Sequence, residues 1–166
     1  MTAPETVPVR LTVNGEAVEA QLSPRLSLAD FLRQHLGLTA THLGCEHGVC
    51  GACTIRLDGR TARACLVYAV QLDGQNVETL EGLAGDPLML RLQAAFVAEN
   101  ALQCGFCTPG MLITAHEFLR SGGPATQPDP EAIRAYLSGN LCRCTGYQPI
   151  VAAVARVQRD LAEGPA

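Results

Sequence analysis

The sequence predicts an α+β protein in which a strand-rich N-terminal part is followed by a helical C-terminal part. Residues 9–13 alternate apolar and polar side chains, and the following Asn14-Gly15 pair is typical of a two-residue hairpin turn. Further along, apolar residues recur at helical spacing in four stretches, each of which begins near a proline. Residues 81–86, which include Gly82 and Gly85, separate the two parts and are predicted to be a linker.

The N-terminal part is predicted to form a small mixed sheet with one helix packed on it. Ser27 is predicted to cap that helix, with Asp30 as its capping-box partner, and the apolar stripe of the helix ends at Gly37. A turn is expected at Asp58-Gly59. The remaining strands are predicted over residues 17–22, 54–57, 64–67 and 77–80.

The C-terminal part is predicted to be a four-helix bundle. Proline suits the first position of a helix because the N–H that it lacks would have no partner there. Asp86, Thr108 and Asp129 stand directly before three of the prolines and are predicted to cap the helices, and a loop is expected over residues 122–128. The prolines are Pro87, Pro109, Pro130 and Pro149, and the residues expected to face the core are Leu88, Leu92, Ala95, Phe96, Leu112, Ala115, Leu119, Ile133, Leu137, Val151, Val154, Ala155 and Leu161.

Composition and charge argue against several classes of function. The 166 residues carry a net charge of −4 and only 4% aromatic residues, whereas nucleic-acid-binding proteins usually present a basic face. The N-terminal residues show no secretion signal and no apolar run reaches membrane-spanning length, so we expect a cytoplasmic protein. In that reducing compartment, eight cysteines at such spacings favour metal binding over disulfides.

Residues 44–65 contain the stronger of two cysteine motifs. Four residues separate Cys45 from Cys50, two separate Cys50 from Cys53, and eleven more precede Cys65. The first spacings are those of a plant-type [2Fe–2S] site, in which four thiolates hold two irons. Glycines between the thiols let the backbone turn tightly and direct N–H groups at sulfur. We interpret the stretch as a redox site, with zinc or disulfides as the alternatives.

The second motif is divided between two predicted helix–loop–helix hairpins. Two residues separate Cys104 from Cys107, one separates Cys142 from Cys144, and thirty-four lie between the pairs. A helix is predicted to begin shortly after each pair, and its partly positive N-terminal end would favour a negatively charged cluster. The motif alone leaves iron–sulfur, zinc and disulfide interpretations open. Its occurrence beside the first motif favours a second iron–sulfur site.

Three runs of residues resemble those of a known family, namely 44–53, 103–110 and 140–147. The chain resembles the small iron–sulfur subunit of the molybdenum hydroxylases, the group that contains xanthine dehydrogenase, aldehyde oxidoreductase and carbon monoxide dehydrogenase. The resemblance covers roughly residues 8–160, with all eight cysteines in place. It implies a β-grasp, plant-ferredoxin-like domain over residues 1–82 and a four-helix-bundle [2Fe–2S] domain over residues 83–166.

The resemblance also implies ligands, cofactors and partners. The outer [2Fe–2S] cluster would be held by Cys45, Cys50, Cys53 and Cys65, and the inner one by Cys104, Cys107, Cys142 and Cys144. A molybdopterin cofactor on a separate large subunit would lie beside the inner cluster, where Gln103 and the backbone near Cys144 would contact it. A medium subunit would carry FAD near the outer cluster, in a heterotrimer or its dimer. Electrons would pass singly from molybdenum through the inner and outer clusters to the flavin.

Other residues receive simpler interpretations. Four cysteines already complete the outer site, so His47 is not expected to be a ligand, and His35, His42 and His116 are expected to be structural. Phe106 is expected to pack over the inner cluster and to exclude water. We find no nucleophile, carboxylate pair or phosphate loop in the sequence, so no catalytic residue is assigned to this chain. The alternative functions are a free-standing two-cluster ferredoxin-like carrier and a structural zinc protein.

Overall fold

Within the described residues, two hydrophobic cores organise the chain, one beneath a β-sheet and one inside a bundle of helices. The structure is a computed structural model that describes residues 5–122 and 128–163. Most of the loop predicted over residues 122–128 therefore lies outside the described residues. The α+β fold predicted from the sequence is confirmed, whereas the domain boundary predicted between residues 82 and 83 stays a prediction.

The sheet is mixed, and the strand that comes last in the sequence lies at the centre of the sheet. In the described part of the chain the strands are β1 Val7–Val13, β2 Glu16–Leu22, β3 Thr54–Leu57, β4 Arg60–Arg63 and β5 Asn76–Glu78. Their order across the sheet is β2-β1-β5-β3-β4. Strand β5 runs parallel to β1 and antiparallel to β3, so it joins two hairpins into one sheet.

The β1–β2 hairpin follows from the two residues in its turn. Asn14 and Gly15 both have positive φ angles, of 53° and 85°, which a two-residue turn requires and which these residue types accept. The turn fixes the register of the two strands. Because side chains alternate along a strand, Val9, Leu11 and Val13 share the buried face of β1.

A short helix packs on the sheet where the sequence predicts one. Helix α1 covers Leu28–Asp30 and continues into one π-helical turn over Phe31–His35. Ser27 caps it as predicted, since its hydroxyl accepts a hydrogen bond from the Asp30 N–H (3.0 Å) and donates one to the Asp30 carboxylate (2.7 Å). The first three residues of the apolar stripe are buried in the core of the sheet layer, and this burial anchors α1.

The strand predicted over residues 64–67 is wrong. Ala64–Leu66 forms a 3-10 turn, and the strand that forms a hairpin with β3 is β4, directly after the Asp58-Gly59 turn. A two-residue turn brings the residues that follow it directly back along β3. Because the side chains of β4 are mostly polar, a prediction based on apolar runs does not identify this strand. The 3-10 turn instead carries Cys65 toward the preceding cysteine loop, because the Ala64 N–H donates to the Cys53 carbonyl (3.1 Å).

The helices form a closed ring around the second core. Within the described residues they are α2 Pro87–Ala98, α3 Thr108–Arg120, α4 Pro130–Leu137 and α5 Gln148–Ala162. Helices α2 and α4 each pack on both α3 and α5, which is the arrangement of a four-helix bundle. Among residues 5–122 and 128–163, we find no helix with the length and apolar character needed to cross a bilayer.

The helix starts agree with the prediction in part. Proline is the first residue of α2 and α4 and the second residue of α3 and α5. Asp86 and Asp129 cap α2 and α4 as predicted. The predicted cap Thr108 is wrong, because Cys107 already has helical φ and ψ angles (−81° and −14°) and Thr108 is the first residue of α3. Leu161, predicted to face the core, is 44% exposed in the last turn of α5.

One carboxylate ties the sheet to the bundle. Glu117 on α3 accepts hydrogen bonds from the Thr61 N–H (3.0 Å) and the Thr61 hydroxyl (2.5 Å) on β4. The Tyr136 hydroxyl on α4 donates to the same carboxylate (3.2 Å). Burial, and then the Glu117 charge, raises the pKa of Tyr136, so the hydroxyl keeps its proton and remains a donor.

A buried histidine joins the end of the linker to the bundle. His116 on α3 is fully buried, and its Nε2 lies 3.0 Å from the Asp86 carboxylate. Burial opposes ionisation of Asp86, but the N–H groups of Met89 and Leu88 and the His116 ring outweigh it, so the pKa of Asp86 lies below its ordinary 3.8. Because this folded-state pKa is lowered, the carboxylate stabilises the fold fully above pH 3.8, and the stabilisation is lost as pH falls through the folded-state pKa.

Asp86→Ala is expected to lower the free energy of unfolding by about 2–3 kcal/mol at pH 7, because it removes a helix cap and leaves a buried imidazole unpaired. Asp129→Ala removes a cap alone, so it is the matched control and should lower the same quantity by about 1 kcal/mol. Urea denaturation of both variants beside the wild type measures the difference. Equal losses would show that the contact with His116 contributes nothing.

Candidate metal centres

The loop between α1 and β3 gathers three cysteines, and the 3-10 turn after β4 brings the fourth to them. The Cys53 thiol is buried and interacts with those of Cys65 and Cys50, and the Cys50 thiol also interacts with that of Cys45. Burial, and then the neighbouring Cys65 thiol, raises the pKa of Cys53 to about 11. The structure thus brings together the four cysteines predicted to form the outer site, while their role as ligands stays a prediction.

The backbone of this loop favours the thiolate form of Cys45. The N–H groups of Cys50 and His47 donate to its sulfur over 3.3 and 3.4 Å. These donors, that of Cys50 first, lower the pKa of Cys45 to about 6. The thiolate is the form that binds metal, and hydrogen bonds to cluster ligands tune the redox potential. The His47 ring hydrogen-bonds the Cys45 carbonyl, and the expectation that His47 is not a ligand stays a prediction.

Two glycines let the outer loop close. Gly48 has a φ of +76°, and a Cβ there would lie 2.4 Å from the Leu66 side chain. Gly51 has a φ of +73°, and a Cβ there would lie 2.6 Å from the carbonyl oxygen of Gly139, in the segment before Cys142. A backbone oxygen cannot move aside as the end of a flexible side chain can. The outer loop therefore touches the second cysteine loop only because residue 51 is glycine.

The other four cysteines line one pocket of about 160 Å³ next to the starts of α3 and α5. Cys104 Sγ lies 3.5 Å from Cys144 Sγ, and the Cys107 thiol interacts with that of Cys142. Cys104 and Cys144 are exposed, whereas Cys107 and Cys142 are half-buried. The pocket is completed by Leu102, Gln103, Gly105, Phe106, Leu141 and Arg143. The cysteines predicted to form the inner site, and the predicted pterin contact Gln103, thus share one pocket.

The inner thiols differ in pKa because their surroundings differ. Burial, and then the neighbouring Cys142 thiol, raises the pKa of Cys107 to about 12. Burial also acts on Cys142, but the Thr145 hydroxyl, 3.2 Å from its sulfur, and the N–H groups of Thr145 and Cys144 outweigh it and lower the pKa of Cys142. A bound metal would supply the positive charge that ionisation of Cys107 requires.

Tyr147 positions the second inner pair, a role that the sequence analysis missed. Its hydroxyl accepts a hydrogen bond from the Cys142 N–H (2.8 Å) and donates one to the Asn140 carbonyl (3.3 Å). Its φ of +67° is uncommon for a residue with a side chain, and it places the loop directly before α5. A tyrosine before a helix gives no sequence signal for this contact, which exists only once the loop has closed.

His42 and Phe106 form a further contact between the two cysteine loops. Their rings stack with centroids 5.0 Å apart, and His42 Nδ1 donates to the Phe106 carbonyl (2.8 Å). Phe106 lines the inner pocket but is 48% exposed. The ring is held against His42 at the edge of the pocket, and its expected role in excluding water from the inner cluster stays a prediction.

The donor sets fit two-iron clusters. Each set supplies the four cysteine sulfurs that a [2Fe–2S] cluster requires, and all eight cysteines are free thiols. In the part of the chain that the structure describes, no three Cys, His, Asp or Glu side chains form a group that could hold a single metal ion. A [2Fe–2S] cluster does not need three, since its four protein ligands are shared between two irons.

Two family models and several known proteins match the chain. Residues 11–84 match a 2Fe-2S iron-sulfur cluster binding domain, and residues 79–155 match a [2Fe-2S] binding domain. Caffeine dehydrogenase subunit gamma of Pseudomonas sp. (strain CBB1) is 52% identical over 149 residues, which cover 90% of this chain and 89% of that protein.

Solved structures agree with these matches. Quinoline 2-oxidoreductase from Pseudomonas putida 86 gives a TM-score of 0.86 at 43% identity, over 98% of this chain and 99% of that chain. The aldehyde oxidoreductase from Desulfovibrio desulfuricans gives a TM-score of 0.82 at 38% identity, over 94% of this chain and 17% of that longer chain.

The fold and the two cysteine sites define an iron–sulfur protein that binds two [2Fe–2S] clusters. More specifically, the chain belongs to the family of small iron–sulfur subunits of the molybdenum hydroxylases, which confirms the resemblance found in the sequence. It is therefore a subunit of an oxidoreductase, and electron transfer is its role.

Gly51→Ala is expected to prevent the outer loop from packing on residue 139, because the new Cβ meets a backbone oxygen at 2.6 Å. The purified protein should contain less iron than the wild type. Gly74→Ala is the matched control, since Gly74 has a similar φ of +76° but nothing within 4 Å of an added Cβ. It should lower the free energy of unfolding by only about 1 kcal/mol, through backbone strain, and keep its iron. Wild-type iron content in Gly51→Ala would show that the close approach is not needed.

Proposed function

We propose that this chain is the electron-transfer subunit of a molybdenum-containing hydroxylase or dehydrogenase. It carries electrons one at a time from a molybdopterin site on a large subunit, through two [2Fe–2S] clusters, toward FAD on a medium subunit. The observation that carries the proposal is that two four-thiol sites lie on loops in direct contact, through Gly51 and Gly139 and through His42 and Phe106. Such contact suits electron transfer, whose rate falls steeply with distance.

Each cluster is held by the cysteines of one domain, the outer one within residues 1–82 and the inner one within residues 83–166. When bound, each cluster takes up and releases a single electron. The chain itself holds the thiolates, directs N–H groups at Cys45 and Cys142, and shields Cys53 from water. The proposed ligands are Cys45, Cys50, Cys53 and Cys65 for the outer cluster and Cys104, Cys107, Cys142 and Cys144 for the inner cluster.

The face around the inner pocket supports contact with the large subunit. Leu102, Phe106 and Leu141 line the pocket and are 40, 48 and 51% exposed. Apolar side chains grouped at the surface around a site indicate a protein contact. Gln103 is exposed in the same group, and within residues 5–122 and 128–163 its side chain has no hydrogen-bond partner. Its amide and the backbone near Cys144 are therefore proposed to contact the pterin.

A second apolar surface supports contact with the flavin subunit. Val49 and Leu66, which are 63 and 60% exposed, lie next in sequence to Cys50 and Cys65. A heterotrimer, or its dimer, uses both surfaces. We place this assembly in the cytoplasm, because eight free thiols suit a reducing compartment.

Serine substitutions are expected to separate the two sites. Cys107→Ser should weaken or abolish one of the two electron paramagnetic resonance signals of the partly reduced protein, and Cys50→Ser should affect the other. Iron content should fall from about four toward about two per chain in each variant, since each cluster holds two irons. Each variant serves as the control for the other. If both abolish the same signal, the division of the cysteines into two sites is wrong.

Gln103→Ala should keep both clusters but slow the reduction of the inner cluster about fivefold, the factor that corresponds to a lost hydrogen bond of about 1 kcal/mol. Gln21→Ala, which alters an exposed glutamine on β2, is the matched control and should leave that rate unchanged. Rapid mixing of the purified complex with a substrate found among N-heteroaromatic compounds and aldehydes measures the rate. An unchanged rate in Gln103→Ala would contradict the pterin contact.

A chain that purifies from a native extract without a larger partner would favour a free-standing carrier.

A further inference from the structure

The side chain of Asn140 joins the two cysteine loops. Asn140 lies two residues before Cys142 and is 1% exposed. Its amide nitrogen donates to the Gly51 carbonyl (3.1 Å) in the outer cysteine loop and to the Thr54 hydroxyl (3.3 Å) at the start of β3. One buried side chain therefore reaches from the inner cysteine loop to the residue that follows Cys50.

The oxygen of the same amide is held from two other elements. It accepts hydrogen bonds from the Arg63 guanidinium on β4 (3.3 Å) and from the Thr114 hydroxyl on α3 (3.0 Å), which shares its one hydrogen with the Gly110 carbonyl (2.9 Å). All four bonds use the side-chain amide, which combines two donor hydrogens with an acceptor oxygen in one planar group. Because the amide is buried, a change that leaves one of these partners unpaired destabilises this arrangement.

The backbone on both sides of Asn140 is also hydrogen-bonded to the sheet layer, on one side to the outer loop and on the other to β4. The Leu141 N–H donates to the Cys50 carbonyl (2.8 Å), and the Arg63 guanidinium donates to the Gly139 carbonyl (2.7 Å). Residues 139–141 are thus bonded to β4 and to the outer loop. The chain leaves this contact directly into Cys142, so a shift of the contact moves an inner cysteine relative to an outer one.

We propose that Asn140 is a positioning residue that fixes the separation of the two clusters and so sets the rate of electron transfer between them. The inference rests on the proposed function, because it uses the cysteine assignment made there. The hydrogen bonds of the Asn140 side chain go to no thiol in the described residues, and Asn140 acts through the Cys50–Gly51 and Leu141–Cys142 backbone. Sites of this kind need their reacting groups held within about 0.5 Å, which a fully paired buried amide can provide.

Asn140→Asp is the direct test, because it keeps the shape and the acceptor oxygen but removes both donor hydrogens. A carboxylate oxygen would then face the Gly51 carbonyl oxygen, while Arg63 would attract the carboxylate away from it. In the fully reduced purified complex, we expect two cluster signals with a smaller magnetic splitting between them, since dipolar coupling falls with the cube of distance. Amide hydrogen exchange at Leu141 should be about fivefold faster, the factor for one hydrogen bond of about 1 kcal/mol.

Two further variants keep the test informative. Thr114→Val removes the hydroxyl that orients the Asn140 amide, so it should also reduce the splitting, by less than Asn140→Asp does. This variant tests the inference even if Asn140→Asp does not fold. Glu117→Gln weakens a contact between sheet and bundle that involves neither cysteine loop, so it should leave the splitting and the Leu141 exchange unchanged. If Asn140 had only a structural role, Asn140→Asp and Thr114→Val would lower the free energy of unfolding but would change the splitting and the Leu141 exchange no more than Glu117→Gln does.

The outcomes separate this inference from the function on which it rests. Wild-type splitting and wild-type Leu141 exchange in both Asn140→Asp and Thr114→Val would overturn the positioning role. An equal loss of splitting in Glu117→Gln would overturn it too, because any loosening between sheet and bundle would then suffice. A wild-type complex with fewer than two cluster signals would instead contradict the proposed function itself.

Discussion

The contact between the outer cysteine loop and the segment before Cys142 determines how the two halves of the chain are arranged. It depends on the absence of side chains at two positions. A Cβ on Gly51 would meet the Gly139 carbonyl at 2.6 Å, and a Cβ on Gly110, in the first turn of α3, would meet the Gly51 carbonyl at 2.2 Å. Because protein interiors are close-packed, backbones can approach this closely only where no side chain intervenes. The sheet and the bundle can therefore share one junction that lies next to cysteines of both sets.

The two cysteine loops also have to accommodate negative charge. Eight thiolates in 166 residues would repel one another, and burial raises the pKa of Cys53 and Cys107 well above the ordinary value. The chain compensates with backbone N–H groups at Cys45 and a hydroxyl at Cys142, and bound iron supplies the remaining positive charge. Metal binding should therefore contribute to folding, as in other proteins whose sites do not exist in the unfolded chain.

Much of this arrangement could be predicted from sequence, because cysteine spacing, turn pairs and helix caps act over a few residues. The hairpin at Asn14-Gly15 and the caps at Asp86 and Asp129 are of this kind. The prediction failed for β4, whose polar residues form a strand only because a tight turn returns them along β3. It also missed Asn140 and Tyr147, since their partners lie in loops that meet after folding. His116 was correctly taken as structural, but its partner Asp86 is thirty residues away and could not be read from spacing.

Chemical analysis of the purified complex is the most direct measurement of the central claim. Iron, acid-labile sulfide and zinc are determined per copy of this chain. Two [2Fe–2S] clusters predict about four irons and about four sulfides, with no stoichiometric zinc, after correction for any other iron in the complex. Two irons or fewer in an intact, active complex, or zinc in place of iron, would contradict the assignment of two clusters to this chain.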